Sequence, residues 1–454
     1  MTSSRLGSTW SFLVAFIRAR WGYRFKSRAA LLAWQKRRID RYLQGPLAAT
    51  SYYSRRNRHR LEDLPSVDKQ QMLAHFADFN PYRITLEGAE EVALKAEAQR
   101  NFRQNLPGSI TVGLSSGTSG RRGVFLVSAR ERALWAGTIL ARVLDSRSLL
   151  RVLTPFSPPL RIALFLRANS NLYGAVQSRR VDFVFCDLLR PMPELLELLR
   201  GSPPDVLVAP ASVLRVLAEA QRAGALDLRP QQIISVAEVL EPDDEEVIAQ
   251  AWGRRPAQIY QCTEGLLGQS CEHGSVHLNE EFVHFEPQWL DATHERFTPL
   301  ITDFTRTTQI FARYRLDDVL RLNPLPCPCG RMTLRLAAIE GRSDDVLWLS
   351  HRESFELQPV FPDVVRRAVA VSKPEVADYR IEQHGDTWRL RVRAVAGEVD
   401  PRGAVATELG QLCLRFNWQA PKFEFLPWIE GAPDAKRRRI RCVARPREEN
   451  VCAS

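Results

Sequence analysis

Between residues 160 and 264 five short apolar runs, RIALFL, VDFVFCDL, PDVLVAP, QQIISVAEVL and AQIYQCTE, alternate with stretches of helical periodicity. No other feature constrains the fold as much. Strands with continuous apolar runs need cover on both faces, and helices on either side of a largely parallel sheet supply it. From Val283 onward the pattern turns to short strands and turns, as in FVHFEPQWL, TPLITDF and QIFARYRLDDVLRL, which predicts a β-rich subdomain closing the larger lobe. Residues 1–100 are Arg-rich and mostly helical in pattern, as in LLAWQKRRIDRYL and DKQQMLAHFADF. The Gly-led polar segment GRSDD, residues 341–345, precedes a tail with strand-like DYRIEQHG and TWRLRVRAV and a helical ATELGQLCLRF. The tail has the size of a small domain. The expected architecture is α/β: a large N-terminal domain, residues 1–341, with layered α/β sheets, a β-rich subdomain and a helical lead-in over 1–100, then a small mobile α+β domain, residues 342–454.

Composition narrows the function classes. With 45% hydrophobic and 25% charged residues in 454, the chain is an ordinary globular one, and disorder, collagen and repeat arrays are excluded. The formal charge of +11 is dispersed, with no zinc-finger, RRM or basic-zipper pattern to organise it, so no nucleic-acid partner is expected. The N-terminal WSFLVAFI is too short to span a bilayer and lacks a small-residue cleavage site. Trp10, Leu13, Ile17 and Trp21 recur at helical spacing, which predicts a helix packed on the body rather than a membrane-surface anchor. The eight cysteines in so long a chain do not suggest a disulfide framework, and a cytoplasmic protein is expected.

One loop is built to wrap an anion. Residues 114–122 read LSSGTSGRR, following the β-rich SITVGL and preceding the helical ARERALWAGTILARVL. The spacing of a Walker loop is absent. Backbone N–H groups, hydroxyls and a following positive charge can nevertheless converge on a phosphate there.

A second cluster has the chemistry of a metal site. Cys327-Pro-Cys329-Gly330 is a tight turn presenting two thiolates, and Cys271 and His277 precede it. Three sulfurs and one imidazole make the closed tetrahedral set of structural Zn2+. His273 competes for the fourth place; its short spacing from Cys271 would strain a shared chelate, which favours His277.

In order along the chain, the Gly-Ser loop is followed by IYQCTE at 259–264, RYRLDD at 313–318, GRSDD at 341–345 and Lys436 in DAKRRRIR. This series resembles the adenylate-forming enzymes, and with PCPCGR at 326–331 it is most similar to the phenylacetate–CoA ligase and coenzyme F390 synthetase branch. The resemblance runs from about Gly108 to Asp345, with a looser match beyond. It implies ATP-dependent adenylation of a carboxylic acid to an acyl-AMP, then transfer to a thiol of CoA or a carrier protein, or to another acceptor. Ser115, Ser116, Gly117, Thr118, Ser119 and Gly120 would then face the β- and γ-phosphates, with Arg121 or Arg122 where the family has lysine. Thr263 would approach the α-phosphate and Glu264 would hold Mg2+. Tyr260 would stack near adenine, Asp318 would bind the ribose, with Asp317 as its rival, and Arg342 would assist at the nucleotide. Asp344 would be the hinge between half-reactions. Lys436 would stabilise charge in transit, with its neighbouring arginines as alternatives.

The resemblance also implies an acyl pocket walled by Tyr173, Gly174, Ala237 and Glu238, suited to an aromatic or other hydrophobic acid of secondary metabolism. After GRSDD the chain reads VLWLSHRESFELQP instead of the family's Arg-Gly-x-Asn-type turn that admits pantetheine, which leaves the acceptor open. The alternative reading is a catalytically lapsed homologue acting as a nucleotide-responsive binding protein. A dimer is compatible with either.

Overall fold

The computed structural model of the protein describes residues 2–101, 104–114, 122–166, 176–395, 397, 399–430 and 438–446. The chain divides into two compact units. One comprises residues 1–316 and 321–338, the other 317–320 and 339–454.

In the first unit, β1 (Thr111–Leu114) and β2 (Val124–Val127) form an antiparallel hairpin, with Thr111 opposite Val127 and Leu114 opposite Val124. The helix Ala129–Val143 follows. Then come β3 (Leu160–Leu166), β4 (Val181–Asp187), β5 (Val206–Ala209), β6 (Gln232–Val236) and β7 (Ala257–Gln261), adjacent in the order β4-β3-β5-β6-β7 and parallel throughout. The chain continues through β8 (Leu266–Ser270), β9 (Val276–Leu278), β10 (Val283–Trp289), β11 (Arg296–Asp303), β12 (Tyr314–Arg315), β13 (Asp318–Leu322) and β14 (Arg335–Arg342). These extend the sheet to twelve strands, in the order β8, β9, β14, β13, β11, β10 beyond β7, with β12 paired to β11. The division between units falls within β13 and β14.

Period two in the parallel strands sorts the core into two layers. Ala163, Phe165, Leu207, Ala209 and Ile233 pack with Leu214 and Leu217 of the helix Ala211–Arg222 and Ile248 of the helix Pro242–Trp252. Their neighbours Ile162, Leu164, Val206, Val208 and Ile234 pack on the other side with Leu140 and Leu144. Successive residues are buried on opposite faces, so the runs read as continuously apolar.

The helical lead-in is stapled to this body. The helix Arg28–Gln44 places Arg28 on Glu280, with Nη2 to Oε1 at 2.7 Å, and Gln35 donates to the Glu280 carbonyl at 2.8 Å. Arg142 and Glu281 form a buried ion pair at 2.9 Å. The N-terminal helix Thr2–Ile17 packs on the body through Phe12, Ala15 and Phe16, not through the predicted stripe. Trp10, Leu13, Ile17 and Trp21 face outward, being 70%, 45%, 54% and 47% exposed. The neighbouring helix approaches closely at Gly137, where a Cβ would come within 2.3 Å of the Phe12 carbonyl and 3.1 Å of the Ala15 Cβ, which leaves no room for a larger side chain at either place.

In the second unit, β15 (Leu347–Ser350) and β16 (Leu357–Val360) form a hairpin. β17 (Val376–His384), β18 (Thr387–Ala394), β19 (Lys422–Leu426) and β20 (Ile440–Ala444) form a sheet in the order β19-β18-β17-β20. The helices Pro362–Val371 and Arg402–Arg415 supply Val365, Val369, Leu409 and Cys413 to a core around the fully buried Trp388. This is the small α+β layer expected of the tail. Among the described residues no helix is long and apolar enough to cross a membrane.

Candidate active site and metal centre

The Thr-Glu turn is organised by the end of β7. Cys262 N donates to the Gly265 carbonyl at 3.1 Å, closing a tight connection into β8. Thr263 Oγ1 donates to the Glu264 carboxylate at 2.7 Å, and both side chains are partly open to solvent. Tyr260 is buried at 8% exposure, opposite Gly268 of β8. Trp135 Nε1 donates to Gln261 Oε1 at 3.3 Å, tying the strand end to the helix Ala129–Val143.

Gly265 has no room for a side chain. A Cβ there would lie 2.9 Å from a carboxylate oxygen of Asp303, at the end of β11. Asp303 accepts from Thr305 N at 2.9 Å and Thr305 Oγ1 at 2.6 Å. Burial pushes its pKa up to about 6, against the pull of the Thr305 bonds and the Arg306 charge. Glu131 holds the same segment from the other side. It accepts from Thr307 N at 2.6 Å, Thr308 N at 3.0 Å and the Thr308 hydroxyl. Burial would raise its pKa, but Arg306 and the bonds from Thr307, Thr308 and Ser128 outweigh that and hold it below the usual value. Neither Asp303 nor Glu131 was singled out from sequence. The signal for Glu131 was the capping box Ser128-x-x-Glu131, which the structure forms reciprocally; Asp303 left no sequence signal.

The Gly-Ser loop, Ser115, Ser116, Gly117, Thr118, Ser119, Gly120 and Arg121, lies outside the described residues, as do Tyr173, Gly174 and Lys436. Its flanks are nevertheless informative. The loop joins β1 to β2 rather than opening the helix directly, because the β-branched GVFLV run pairs with TVGL first. A helix N-terminus therefore does not follow it at once, as the strand-loop-helix expectation required. Arg122 forms a two-armed ion pair with Glu97, both contacts at 2.6 Å.

Ala237, beyond β6, has φ +64, a left-handed conformation that disfavours a side chain and occurs preferentially at functional sites. Glu238 next to it accepts from Ser212 N at 3.0 Å, at the start of the helix Ala211–Arg222. That carboxylate caps a helix.

In the second unit, Arg342 pairs with Asp317 at 2.9 Å, so Asp317 and Asp318 differ in their engagement: the exposed Asp317 holds Arg342, and Asp318 begins β13, partly buried. Asp344 lies in the single turn Ser343–Asp345. Asp345 closes that turn, accepting from Arg342 N at 2.7 Å and from Arg438 Nε at 2.9 Å.

The cysteine cluster is assembled within the first unit. One ligand atom each from Cys271, His277, Cys327 and Cys329 lies within 4.8 Å of the others. Cys271 Sγ is 3.7 Å from Cys327 Sγ, and Cys329 Sγ is 3.4 Å from His277 Nε2. His277 Nδ1 sits 3.4 Å from the Thr333 carbonyl, which suits the tautomer that leaves Nε2 free to ligate. Burial lowers the His277 pKa, favouring the neutral ring a metal needs. Burial would raise the Cys327 thiol, but hydrogen bonds from the Cys329 backbone and side chain bring it below its usual value. Cys329, partly buried and beside Cys327, is pushed up to about 12 by desolvation and by its neighbour. His273 is exposed and outside the group.

No protein-family model matches the sequence, and no curated protein does. Solved structures do match. The chain is similar to 2-hydroxyisobutyryl-CoA ligase in the postadenylation state with R3-HIB-AMP, at TM-score 0.63 and 18% identity, covering 91% of this chain and 89% of that one. The same ligase with 2-HIB-AMP in that state gives 0.62 at 18% identity, with the same coverage. Its open conformation with 2-HIB-AMP and CoA gives 0.56 at 18% identity, over 92% and 91%. The fold of this chain is that of 2-hydroxyisobutyryl-CoA ligase.

Proposed function

We propose that the protein is an acid–thiol ligase that adenylates an aromatic or other hydrophobic carboxylic acid. A carboxylate oxygen bonds to the α-phosphorus of ATP as the bond to the β-phosphate oxygen breaks, releasing pyrophosphate. A thiol of CoA or of a carrier protein then attacks the acyl carbon. The thioester C–S bond forms, the thiol proton leaves and AMP departs. Little covalent work falls to the protein, whose task is to neutralise and position charge.

The reading is carried by one observation: the Thr263-Glu264-Gly265 turn stands at the end of the last parallel strand, in a fold shared with structures that hold an acyl-AMP. Thr263 offers a hydroxyl to the α-phosphate. Glu264 offers an oxygen donor of the kind Mg2+ takes, and bound there the ion would neutralise phosphate charge. Ser115 to Gly120 and Arg121 receive the departing pyrophosphate, Asp318 the ribose, Tyr260 and Arg342 the rest of the nucleotide, and Lys436 the transferring oxygens. Asp344 is the hinge residue. Tyr173, Gly174 and Ala237 wall the acyl pocket, with Glu238 fixing the wall by capping its helix.

The Cys271, His277, Cys327 and Cys329 set fits Zn2+ by donor type and spacing, with no position open for a substrate. There the ion would be structural. Metal analysis of the purified chain should give one zinc per molecule.

The primary test is ATP–pyrophosphate exchange against a panel of aryl and fatty acids. Exchange dependent on one acid, falling at least ~100-fold in Glu264→Gln, supports the reading and names the acyl half. An absence of exchange with bound ATP would instead indicate a lapsed nucleotide-binding homologue.

A further inference from the structure

The N-terminal helix shows two faces that sequence periodicity alone could not assign. Within the helix Thr2–Ile17, at about 100° per residue, Trp10, Leu13 and Ile17 share one side with the buried Ala15 opposite, and the π-helical turn Arg18–Gly22 that continues it keeps Trp21 exposed and Ala19 buried. The inward side is fully engaged. Phe12 and Phe16 pack on the core, and Arg20 donates to the carbonyls of Ala141 at 3.2 Å and Leu144 at 2.9 Å. The outward side presents two indoles and two aliphatic chains to solvent in one line, a cost in free energy that a globular surface rarely retains without use.

Charge identifies the occupant. Residues 1–39 contain nine lysines and arginines and no aspartate or glutamate; Asp40 is the first acid in the chain. Arg18, Arg24 and Lys26 are exposed and make no ion pair among the described residues. A second copy of this chain is a poor occupant. A two-fold contact sets each patch against itself, and it would bring these cations together with no acid nearby in sequence to offset them. A surface that accepts indole rings at its boundary and carries diffuse negative charge meets both requirements.

We propose that the outward face of the N-terminal helix, Trp10, Leu13, Ile17 and Trp21 flanked by Arg18, Arg24 and Lys26, docks on the surface of an anionic lipid bilayer. The helix does not insert across it. It keeps its inward face, Phe12, Ala15 and Phe16, on the body and lays its apolar stripe into the headgroup boundary, with the cations at the phosphates. An enzyme held this way would meet apolar carboxylic acids where they concentrate, although the docking itself does not depend on the reaction proposed above.

The test is flotation of the full chain with vesicles of phosphatidylcholine alone and of phosphatidylcholine with phosphatidylglycerol. The expected result is at least about tenfold stronger recovery with the anionic vesicles, reduced at ~0.5 M salt. Recovery should be lost in Leu13→Glu/Ile17→Glu, whose exposed positions leave the packed face intact. Arg18→Gln/Arg24→Gln/Lys26→Gln keeps the stripe and should lose the preference for anionic vesicles; it serves should the first variant fail to fold. Equal recovery on both vesicle types, no recovery on either, or recovery unchanged in both variants overturns the proposal. So does a dimer in sedimentation velocity that Leu13→Glu/Ile17→Glu dissociates without any vesicle binding, which would make the patch an interface between copies.

Discussion

Two buried carboxylates a short distance from the Thr-Glu turn respond to pH in opposite senses. Glu131 has a folded-state pKa held below the ordinary glutamate value of 4.5, so the folded state favours the charged form. Its contribution is present in full above that value and is lost as pH falls through the lower folded pKa. Glu131→Gln should cost about 3 kcal/mol near neutral pH, since it leaves Arg306 and the Thr307 and Thr308 donors without their anion. The gap between variant and wild type in urea unfolding should close as pH drops below 4.5. Asp303 behaves inversely. Its pKa rises from 3.8 to about 6 on folding, so the folded chain binds more protons and loses stability as pH climbs across that window. Asp303→Asn should therefore gain on wild type between pH 4 and 7, by on the order of 2–3 kcal/mol before the lost Thr305 bonds are counted. A difference that stays constant with pH would contradict the assignment.

At the scale of elements, the site depends on how closely strand ends approach. The connection from β7 to β8 runs against Asp303 with no space for a methyl group at Gly265. Gly265→Ala should destabilise the chain by about 1–3 kcal/mol and slow ATP–pyrophosphate exchange, as the turn carrying Thr263 and Glu264 is displaced. The cysteine cluster joins neighbouring elements: Cys271 opens the turn from β8 to β9, His277 lies on β9, and Cys327 and Cys329 occupy the loop before β14. On the proposed zinc reading, Cys327→Ser should remove the metal found by analysis of wild type and lower the melting temperature of the chain, and a chelator should reproduce the loss in wild type without affecting the variant.

Over the whole molecule, the two units carry separate hydrophobic cores. The core around Trp388 is drawn from residues 347–442, while the layered cores of the larger unit are drawn from residues 135–259 with Phe12 and Phe16 of the N-terminal helix. Calorimetry should accordingly resolve two unfolding transitions rather than one. Removing zinc or substituting Glu131 should move only the transition of the larger unit.

The sequence by itself determined the class of the fold and the donor chemistry. Continuous apolar runs in β3 to β7 demanded a covered parallel sheet, because any strand with apolar side chains on both faces must lose both faces to water. Three thiols and an imidazole at 271, 277, 327 and 329 marked out the donor set proposed for zinc, and the structure brings those four side chains together. Tertiary structure decided what local pattern leaves degenerate. Periodicity marked Trp10, Leu13, Ile17 and Trp21 as one face, but whether that face turned inward depended on the close approach available at Gly137, on a helix far along the chain. The Gly-Ser loop could read as leading into a helix because β2 is only four residues long, too short for its pairing with β1 across the loop to stand out as a pattern. Asp303 and Gly265 are invisible as a pair until β11 and the β7–β8 connection are brought side by side. Chemistry resides in residue types, which the sequence states directly; proximity between distant strands is a property of the packed core.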